Sequence, residues 1–214
     1  LLGHQGRDLQ RSQLPGALRH LAVGAGRTGH KCKNAERRGH PPSGAAPFGF
    51  SALRAGLLKK VAIIGSGGSG KSELARRLGP ILGLEVFHLD ALHWRPGWVA
   101  TPKLEWRALV EELVGRDSWV IDGHYGGTLD VRLAAADTVV FLDLPRRICL
   151  WRAVKRGLVY RRGPRPDMAP GCFERFGRQF LQYLRWIWDY PSSRRPSVLA
   201  KIERNASGRR VHVL

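Results

Sequence analysis

Cysteine, methionine and acidic residues are scarce in this chain. It has three cysteines, one methionine and 17 acidic residues among 214 positions. An odd number of cysteines without metal-type spacing argues against a disulfide framework or a zinc site and indicates a reducing compartment, which we take to be the cytoplasm. No stretch approaches the roughly 20 apolar residues that span a bilayer, so we expect no membrane span. The chain is long enough for one substantial core.

The shortage of acidic residues leaves a formal net charge of +19, from 36 lysines and arginines. Such a surplus suits nucleic acid, but a basic cleft suits polyphosphate substrates equally well. No helix-turn-helix, zinc-finger or RNA-binding signature accompanies the charge. Nucleic acid is therefore a possible partner that the charge supports but no sequence motif does.

Residues 1–58 lack hydrophobic periodicity, and Gly, Pro, Arg and His recur throughout them. The segment is either disordered or upstream sequence read through from a misread start, with the true start near Leu57 or Leu58. A third interpretation is a basic nucleic-acid-binding arm, although only Phe48 and Phe50 could stack on bases there.

From residue 59 the pattern becomes regular. An apolar run at 61–64 precedes a glycine-rich loop, and helical spacing follows from Glu73. In this order of strand, loop and helix, the motif GxxxxGK[ST] predicts a Walker A phosphate loop. Its backbone amides would surround the phosphates, Lys71 would reach the β- and γ-phosphates, and Ser72 would ligate Mg²⁺. A chance match in a linker would not explain the flanking strand and helix. The loop residues are Gly65, Ser66, Gly67, Gly68, Ser69, Gly70, Lys71 and Ser72.

Strand and helix patterns alternate along the rest of the chain. Further strands are predicted at 84–88, 119–121, 138–142 and 210–214, with helices at 102–114, 146–160 and 173–188. The alternation predicts an α/β P-loop sandwich, in which helices cover both faces of a five-stranded parallel sheet. Ligands bind at the carboxyl ends of such strands, where Asp90, Asp122 and Asp143 follow three of them.

Four segments carry a family resemblance: VAIIGSGGSGKSELARRLG, VFHLDALHWRPGW, WVIDGHYGGTLDVRLAAADTVVFLDLPRRICLWRAVKR and RPDMAPG. They resemble the adenylate-kinase-like P-loop kinases, most closely the subgroup labelled DNA topology modulation protein, over residues 59–214. The resemblance implies an ATP-dependent kinase of a nucleotide or small molecule. An ATP-switched nucleic-acid-binding regulator is the alternative. In related kinases a loop and helix follow the fifth strand, so an end at Leu214 implies a C-terminal truncation.

The resemblance also implies roles for individual residues. Asp122 is the Walker-B-like carboxylate that holds Mg²⁺, and Arg152 and Arg156 lie four apart on one helix face and contact nucleotide phosphates. A solvated helix face is the alternative for the two arginines. Asp90 orients or deprotonates the acceptor hydroxyl, or else caps a helix.

Residues 160–172 combine prolines, glycines and arginines, which excludes a helix. The segment is expected to be an Arg-rich lid, with Arg161, Arg162 and Arg165 as phosphate-binding candidates; a plain surface loop is the alternative.

Several aromatic residues and histidines allow two interpretations. Trp94 and Trp98 could wall a ring-binding site or seal a core edge, and His88 is expected to end a strand. The aromatic stripe at 173–188 is expected to face the core rather than a cofactor. His124 stands where the subgroup leads us to expect Asn, which puts hydrogen bonding to the acceptor there in question.

Overall fold

The computed structural model describes residues 58–161, 163, 165–173 and 176–214. The predictions for residues 1–57 lie outside these ranges, as does that for Arg162. Within the described residues no helix is both long and apolar enough to cross a membrane. Cys149 and Cys172 are free, buried thiols.

The predicted five-stranded parallel sheet is confirmed. Its strand order is β2-β5-β1-β6-β7, and β3 and β4 pair separately as an antiparallel hairpin. Strand β1 is therefore the central strand of the sheet and has a hydrogen-bonded strand on each side. The described strands are β1 (Lys60–Gly65), β2 (Val86–His88), β3 (Trp94–Arg95), β4 (Val99–Ala100), β5 (Trp119–Asp122), β6 (Thr138–Leu142) and β7 (Arg210–Val213).

Four helices correspond to predicted ones, whereas α2, α4 and α7 were not predicted. The described helices are α1 (Lys71–Leu82), α2 (Leu89–His93), α3 (Lys103–Gly115), α4 (Leu129–Ala135), α5 (Arg146–Val159), α6 (Arg178–Ser193) and α7 (Arg195–Asn205).

Helix α6 corrects the prediction of a core-facing stripe over 173–188. The helix begins only after the extended residue Gly177, so Phe173 and Phe176 precede it and are exposed. Trp188 is also exposed, at 44%, whereas Phe180 and Ile187 are buried. The stripe is thus core-facing only in its middle.

The core lies on both faces of β1. Val61 and Ile63 pack with Ala75 of α1 and with Val140 of β6. Successive strand side chains point to opposite faces, so Ala62 and Ile64 enter the other face, where they are equally buried. Burial on both faces is typical of a parallel sheet covered by helices.

The register of the central strands fixes what meets at the carboxyl edge. Ile63 pairs with Asp122, and His88 pairs with the same aspartate from the other side. The loop after β1, the end of β2 and the carboxylate of β5 therefore meet at one point.

Candidate functional site

The loop between β1 and α1 is tightly curled. Gly68 and Gly70 have φ angles of 75° and 98°, in the left-handed region that favours glycine. A Cβ at Gly68 would also collide with the backbone carbonyl of Cys149 on α5. Within the loop, Ser69 Oγ donates to the Ser66 carbonyl at 2.8 Å. The side-chain hydroxyl of Ser66 is buried and has no protein partner among the described residues.

Lys71 folds back over this loop, and its Nζ donates to the Ser66 carbonyl at 2.6 Å. Burial lowers the pKa of Lys71, while Asp90 and Asp122 act in the opposite direction. The ammonium group therefore lies between the loop and two carboxylates. A phosphate bound there could replace the Ser66 carbonyl as its hydrogen-bond partner.

Ser72 and Asp122 meet where a magnesium ion would be needed. Ser72 Oγ donates to Asp122 Oδ2 at 2.7 Å, and His88 Nδ1 lies 2.5 Å from Asp122 Oδ1. Burial disfavours a charged imidazole, but the contact with Asp122 outweighs it and raises the pKa of His88. His88 ends β2, as expected, and additionally contacts the predicted metal ligand.

This donor set fits Mg²⁺ but does not enclose it. Within the described ranges no group of three or more His, Cys, Asp or Glu is placed to hold a metal ion. Mg²⁺ prefers oxygen ligands, retains several waters and is commonly held by one or two protein groups plus substrate phosphates. The Ser72 hydroxyl and the Asp122 carboxylate supply such a pair.

Helix α5 places two arginines beside the loop. Arg152 Nη1 donates to the Ser69 carbonyl at 3.3 Å, and Arg156 Nη2 donates to the Tyr183 hydroxyl at 3.0 Å. Both arginines line the cavity above the loop. Tyr183 belongs to the stripe that we assigned to the core, yet it also lines this cavity.

The segment from Arg165 to Phe173, hereafter the lid segment, bridges the loop and the β3–β4 hairpin. Arg165 Nη2 lies 2.7 Å from Asp167 Oδ2, and the Arg165 side chain is only 3% exposed. Burial would raise the pKa of Asp167, but its hydrogen bonds and ion pair with Arg165 dominate and lower it to about 2. Asp167 therefore stays ionised next to the loop serine.

The other end of the lid segment is fixed to the hairpin. Trp98 Nε1 donates to the Phe173 carbonyl at 3.0 Å, and the Cys172 thiol lies 3.2 Å from the Arg95 carbonyl. Trp94 and Trp98 pack against a small buried cluster in the lid segment, made of Met168, Ala169 and Cys172. The two tryptophans thus both seal a packed edge and line the cavity.

Asp90 lines the same cavity as Arg152 and Arg156. It is inside the first turn of α2, whose N-cap is His88, so the alternative that Asp90 caps this helix is wrong. Its Oδ1 accepts a hydrogen bond from the Tyr125 hydroxyl at 2.8 Å. Burial, followed by the charge of Asp90, raises the pKa of Tyr125, which keeps the phenol protonated.

Arg132 is a residue of the site that the sequence analysis missed. Its side chain is fully buried and donates to three backbone carbonyls: Gly123 at 2.9 Å, His124 at 2.6 Å and Tyr125 at 3.1 Å. Burial lowers its pKa to about 10, so it remains a cation at neutral pH. It holds in shape the loop that joins Asp122 to Tyr125.

His124 and Arg161 do not supply positive charge to the cavity. Burial and nearby cations lower the pKa of His124 to about 3, and its ring lies 5.4 Å from that of Trp186. Arg161 is exposed, outside the cavity lining, with its guanidinium 6.0 Å from the Phe176 ring. Of the described lid arginines, only Arg165 lines the cavity.

These groups surround one cavity of 1030 Å³. We call the part lined by the loop residues, Arg152 and Arg156 its phosphate end, and the part lined by Asp90, Tyr125 and the hairpin tryptophans its acceptor end. Pockets of about 300–1,000 Å³ hold a drug-sized ligand, so this one has room for two small molecules side by side.

No protein-family model matches the chain, and no curated protein sequence matches it. Among solved structures it is similar to shikimate kinase from Acinetobacter baumannii, with 18% identity, 73% of this chain and 83% of that one covered, and a TM-score of 0.45. It is also similar to a gluconokinase from Sinorhizobium meliloti 1021, with 19% identity, 71% of this chain and 95% of that one covered, and a TM-score of 0.40. A third similar structure is deoxyadenosine kinase from M. mycoides, with 14% identity, 72% of this chain and 90% of that one covered, and a TM-score of 0.40. At these identities the similarity concerns the fold alone.

Proposed function

We propose that the protein is an ATP-dependent phosphotransferase that acts on a small hydroxyl acceptor. The observation that carries the proposal is the single cavity in which Lys71 and the Ser72–Asp122 pair face Asp90. Phosphoryl transfer requires a group that binds the phosphates of the donor and a carboxylate that can accept the proton of the acceptor hydroxyl. The finer assignment to the topology modulation subgroup rests on the sequence motifs alone.

At the phosphate end, the curled loop would present its amides to the ATP phosphates, and Lys71 would leave the Ser66 carbonyl for the β- and γ-phosphates. Arg152 and Arg156 would stabilise the transferring group, since a guanidinium spreads its charge over several donors. Arg165 would act from the lid segment, while Arg161 would have to turn away from Phe176 to take part.

Ser72 and Asp122 would hold the Mg²⁺ ion, directly or through water. The ion would supply positive charge that offsets the charge developing on the phosphates. Asp122 must then exchange its contact with the Ser72 hydroxyl for the ion, and His88 remains as its second neighbour.

At the acceptor end, Asp90 would take the proton of the attacking hydroxyl. The acceptor oxygen forms a bond to the γ-phosphorus as the bond between that phosphorus and the β,γ-bridging oxygen breaks. The products are the phosphorylated acceptor, ADP and protonated Asp90, which returns its proton to water. Tyr125 orients the Asp90 carboxylate through its hydroxyl.

The test is ATP consumption by the full chain with Mg²⁺ and a panel of nucleosides, nucleoside monophosphates and polyols. We expect one acceptor class to stimulate turnover, with loss of that turnover in Lys71→Ala and Asp90→Asn. The matched control is Asp117→Asn, which removes an exposed carboxylate. Acceptor-dependent turnover that survives Lys71→Ala would refute the proposal.

A second candidate is nucleic-acid binding that ATP switches, and one observation favours it. Trp151 on α5 is 63% exposed, and Lys155 Nζ lies 5.0 Å above its ring. An exposed ring with a cation beside it suits the stacking of single-stranded bases. Fluorescence anisotropy with labelled oligonucleotides tests this candidate: affinity should change with ATP and fall in Trp151→Ala. An affinity that changes neither with ATP nor in Trp151→Ala would reflect net charge only.

A further inference from the structure

The acceptor end of the cavity has a composition of its own. Its described wall comes from α2, the β3–β4 hairpin, the loop after β5 and the lid segment. It is defined by the side chains Asp90, Trp94, Trp98 and Tyr125. We assign Arg152 and Arg156 of α5 to the phosphate end, where Arg152 bonds the Ser69 carbonyl of the loop.

Asp90 is the only charged side chain among the residues that define this end. The other carboxylates of the cavity lining are those of Glu73, Asp122 and Asp167, and apart from Lys71, Arg152 and Arg156 its lining cations are two guanidiniums, Arg76 and Arg165. Both guanidiniums contact a carboxylate: Arg76 contacts Glu73, and Arg165 contacts Asp167 at 2.7 Å. An acceptor that carries its own phosphate or carboxylate would meet like charge here, which opposes binding.

The two histidines near this end pack against aromatic rings. His93 is outside the cavity lining and packs edge-on against Trp106, with ring centroids 4.6 Å apart, and both of these rings also contact that of Tyr125. The His124 ring lies 5.4 Å from that of Trp186 on α6. Tyr125 is therefore held in place by packed rings on its far side.

The aromatic groups of the wall offer ring surface rather than free donors. The rings of Trp94 and Trp98 meet edge to face, 5.5 Å apart. The indole N–H of Trp98 already donates to the Phe173 carbonyl at 3.0 Å, and the Tyr125 hydroxyl already donates to Asp90 at 2.8 Å. A polyol would leave hydroxyls unsatisfied against such a wall, whereas a flat heterocycle would stack on it.

We propose that the acceptor is an uncharged compound with a flat ring and a free hydroxyl, a nucleoside by chemical class. Its ring lies against Trp94 and Trp98, and its hydroxyl meets Asp90. The inference rests on the proposed kinase function, and it excludes nucleoside monophosphates and polyols as the principal acceptors. The acceptor hydroxyl gives its proton to Asp90 and its oxygen bonds to the γ-phosphorus, so that ATP becomes ADP and the nucleoside becomes its monophosphate.

Direct binding tests the inference without relying on turnover. The full chain is titrated in a calorimeter with the common nucleosides, their 5′-monophosphates and ribitol, with no ATP present. We expect at least one nucleoside to bind about tenfold or more tightly than its monophosphate, and ribitol to give no heat. A monophosphate that binds as tightly as its nucleoside, binding of ribitol alone, or binding of none of these compounds would overturn the inference.

Variants of Trp98 locate the bound nucleoside. Trp98→Ala should weaken nucleoside binding about tenfold or more, because a stacked ring loses its partner. Trp98→Phe retains a ring and should keep most of the affinity, which separates loss of stacking from loss of the fold. Trp188→Ala is the matched control, because this tryptophan is 44% exposed and does not line the cavity. Nucleoside binding indifferent to both Trp98 variants would place the ligand elsewhere and refute the assignment.

A parallel titration with a non-hydrolysable ATP analogue separates the two proposals. Loss of analogue binding in Lys71→Ala supports the phosphate end, whatever the nucleoside result. If the analogue binds and a monophosphate is the preferred acceptor, the result supports the kinase function and refutes the assignment of the acceptor as a nucleoside. If the analogue does not bind at all, the kinase proposal falls, and nucleoside binding still decides the nature of the acceptor end.

Discussion

The ion pair between Arg165 and Asp167 gives a quantitative prediction for Asp167→Asn. The substitution keeps the size of the side chain and an oxygen that can accept one hydrogen bond, but it removes the charge. Arg165 then stays almost entirely buried without its carboxylate partner at 2.7 Å. A buried cation that loses its counter-ion destabilises the folded state.

The magnitude follows from the pKa of Asp167, which falls from an ordinary value of 3.8 to about 2. Each pKa unit corresponds to about 1.4 kcal/mol, so the ionised carboxylate contributes about 2 kcal/mol to the free energy of unfolding. Because the folded-state pKa is depressed, this contribution is complete above the unfolded-state value and is lost as the pH falls through the folded-state value. At pH 3 about half of it should remain.

Urea unfolding followed by circular dichroism measures the difference. Asp167→Asn should be less stable than the parent by about 2 kcal/mol at pH 7, with the gap narrowing at pH 3. Asp117→Asn removes an exposed carboxylate and should change stability by less than about 0.5 kcal/mol. Equal stability of Asp167→Asn and the parent at pH 7, or a gap that widens on acidification, would refute the reasoning.

Three further predictions concern the loop and its supports. Arg156→Ala should lower acceptor-dependent turnover by about 10³–10⁵ if this arginine stabilises the transferring phosphoryl group, and a few-fold loss in steady-state assays would argue against that role. Arg132→Met leaves three buried carbonyls without their donor, so urea unfolding should show a loss of about 3 kcal/mol, and a loss below about 1 would contradict the clamp. Gly68→Ala should weaken ATP binding in calorimetry because its Cβ meets the Cys149 carbonyl, whereas Gly127→Ala, in open space, should leave binding unchanged.

The sheet and the phosphate loop could be predicted because their signals are local. The run at Val61–Ile64, the glycines after it and the helical spacing after Ser72 are consecutive in sequence. The aspartate after β5 also follows directly from the rule that ligands gather at the carboxyl ends of parallel strands. That His88 and Asp122 touch required the register, which pairs the two residues across neighbouring strands.

The supports of the site could not be predicted because their partners are distant or belong to the backbone. Arg132 donates to carbonyls whose direction depends on how the loop at 123–125 bends, and no sequence pattern encodes that. Trp98 and Phe173 are 75 positions apart. Tyr183 lies within an aromatic helical stripe, and periodicity alone cannot distinguish a ring that faces the core from one that faces a cavity.

The lid segment connects the two ends of the cavity. At one end Asp167 lies beside the loop serine, and at the other the Phe173 carbonyl accepts from Trp98 at 3.0 Å. Only five residues lie between these two anchors. A ring that binds against Trp98 must therefore act on the same short segment that places a carboxylate beside Ser72. We therefore expect acceptor binding to be coupled to the arrangement of the phosphate end through this segment, so that substitutions at Trp98 alter the affinity for the ATP analogue as well as for the acceptor.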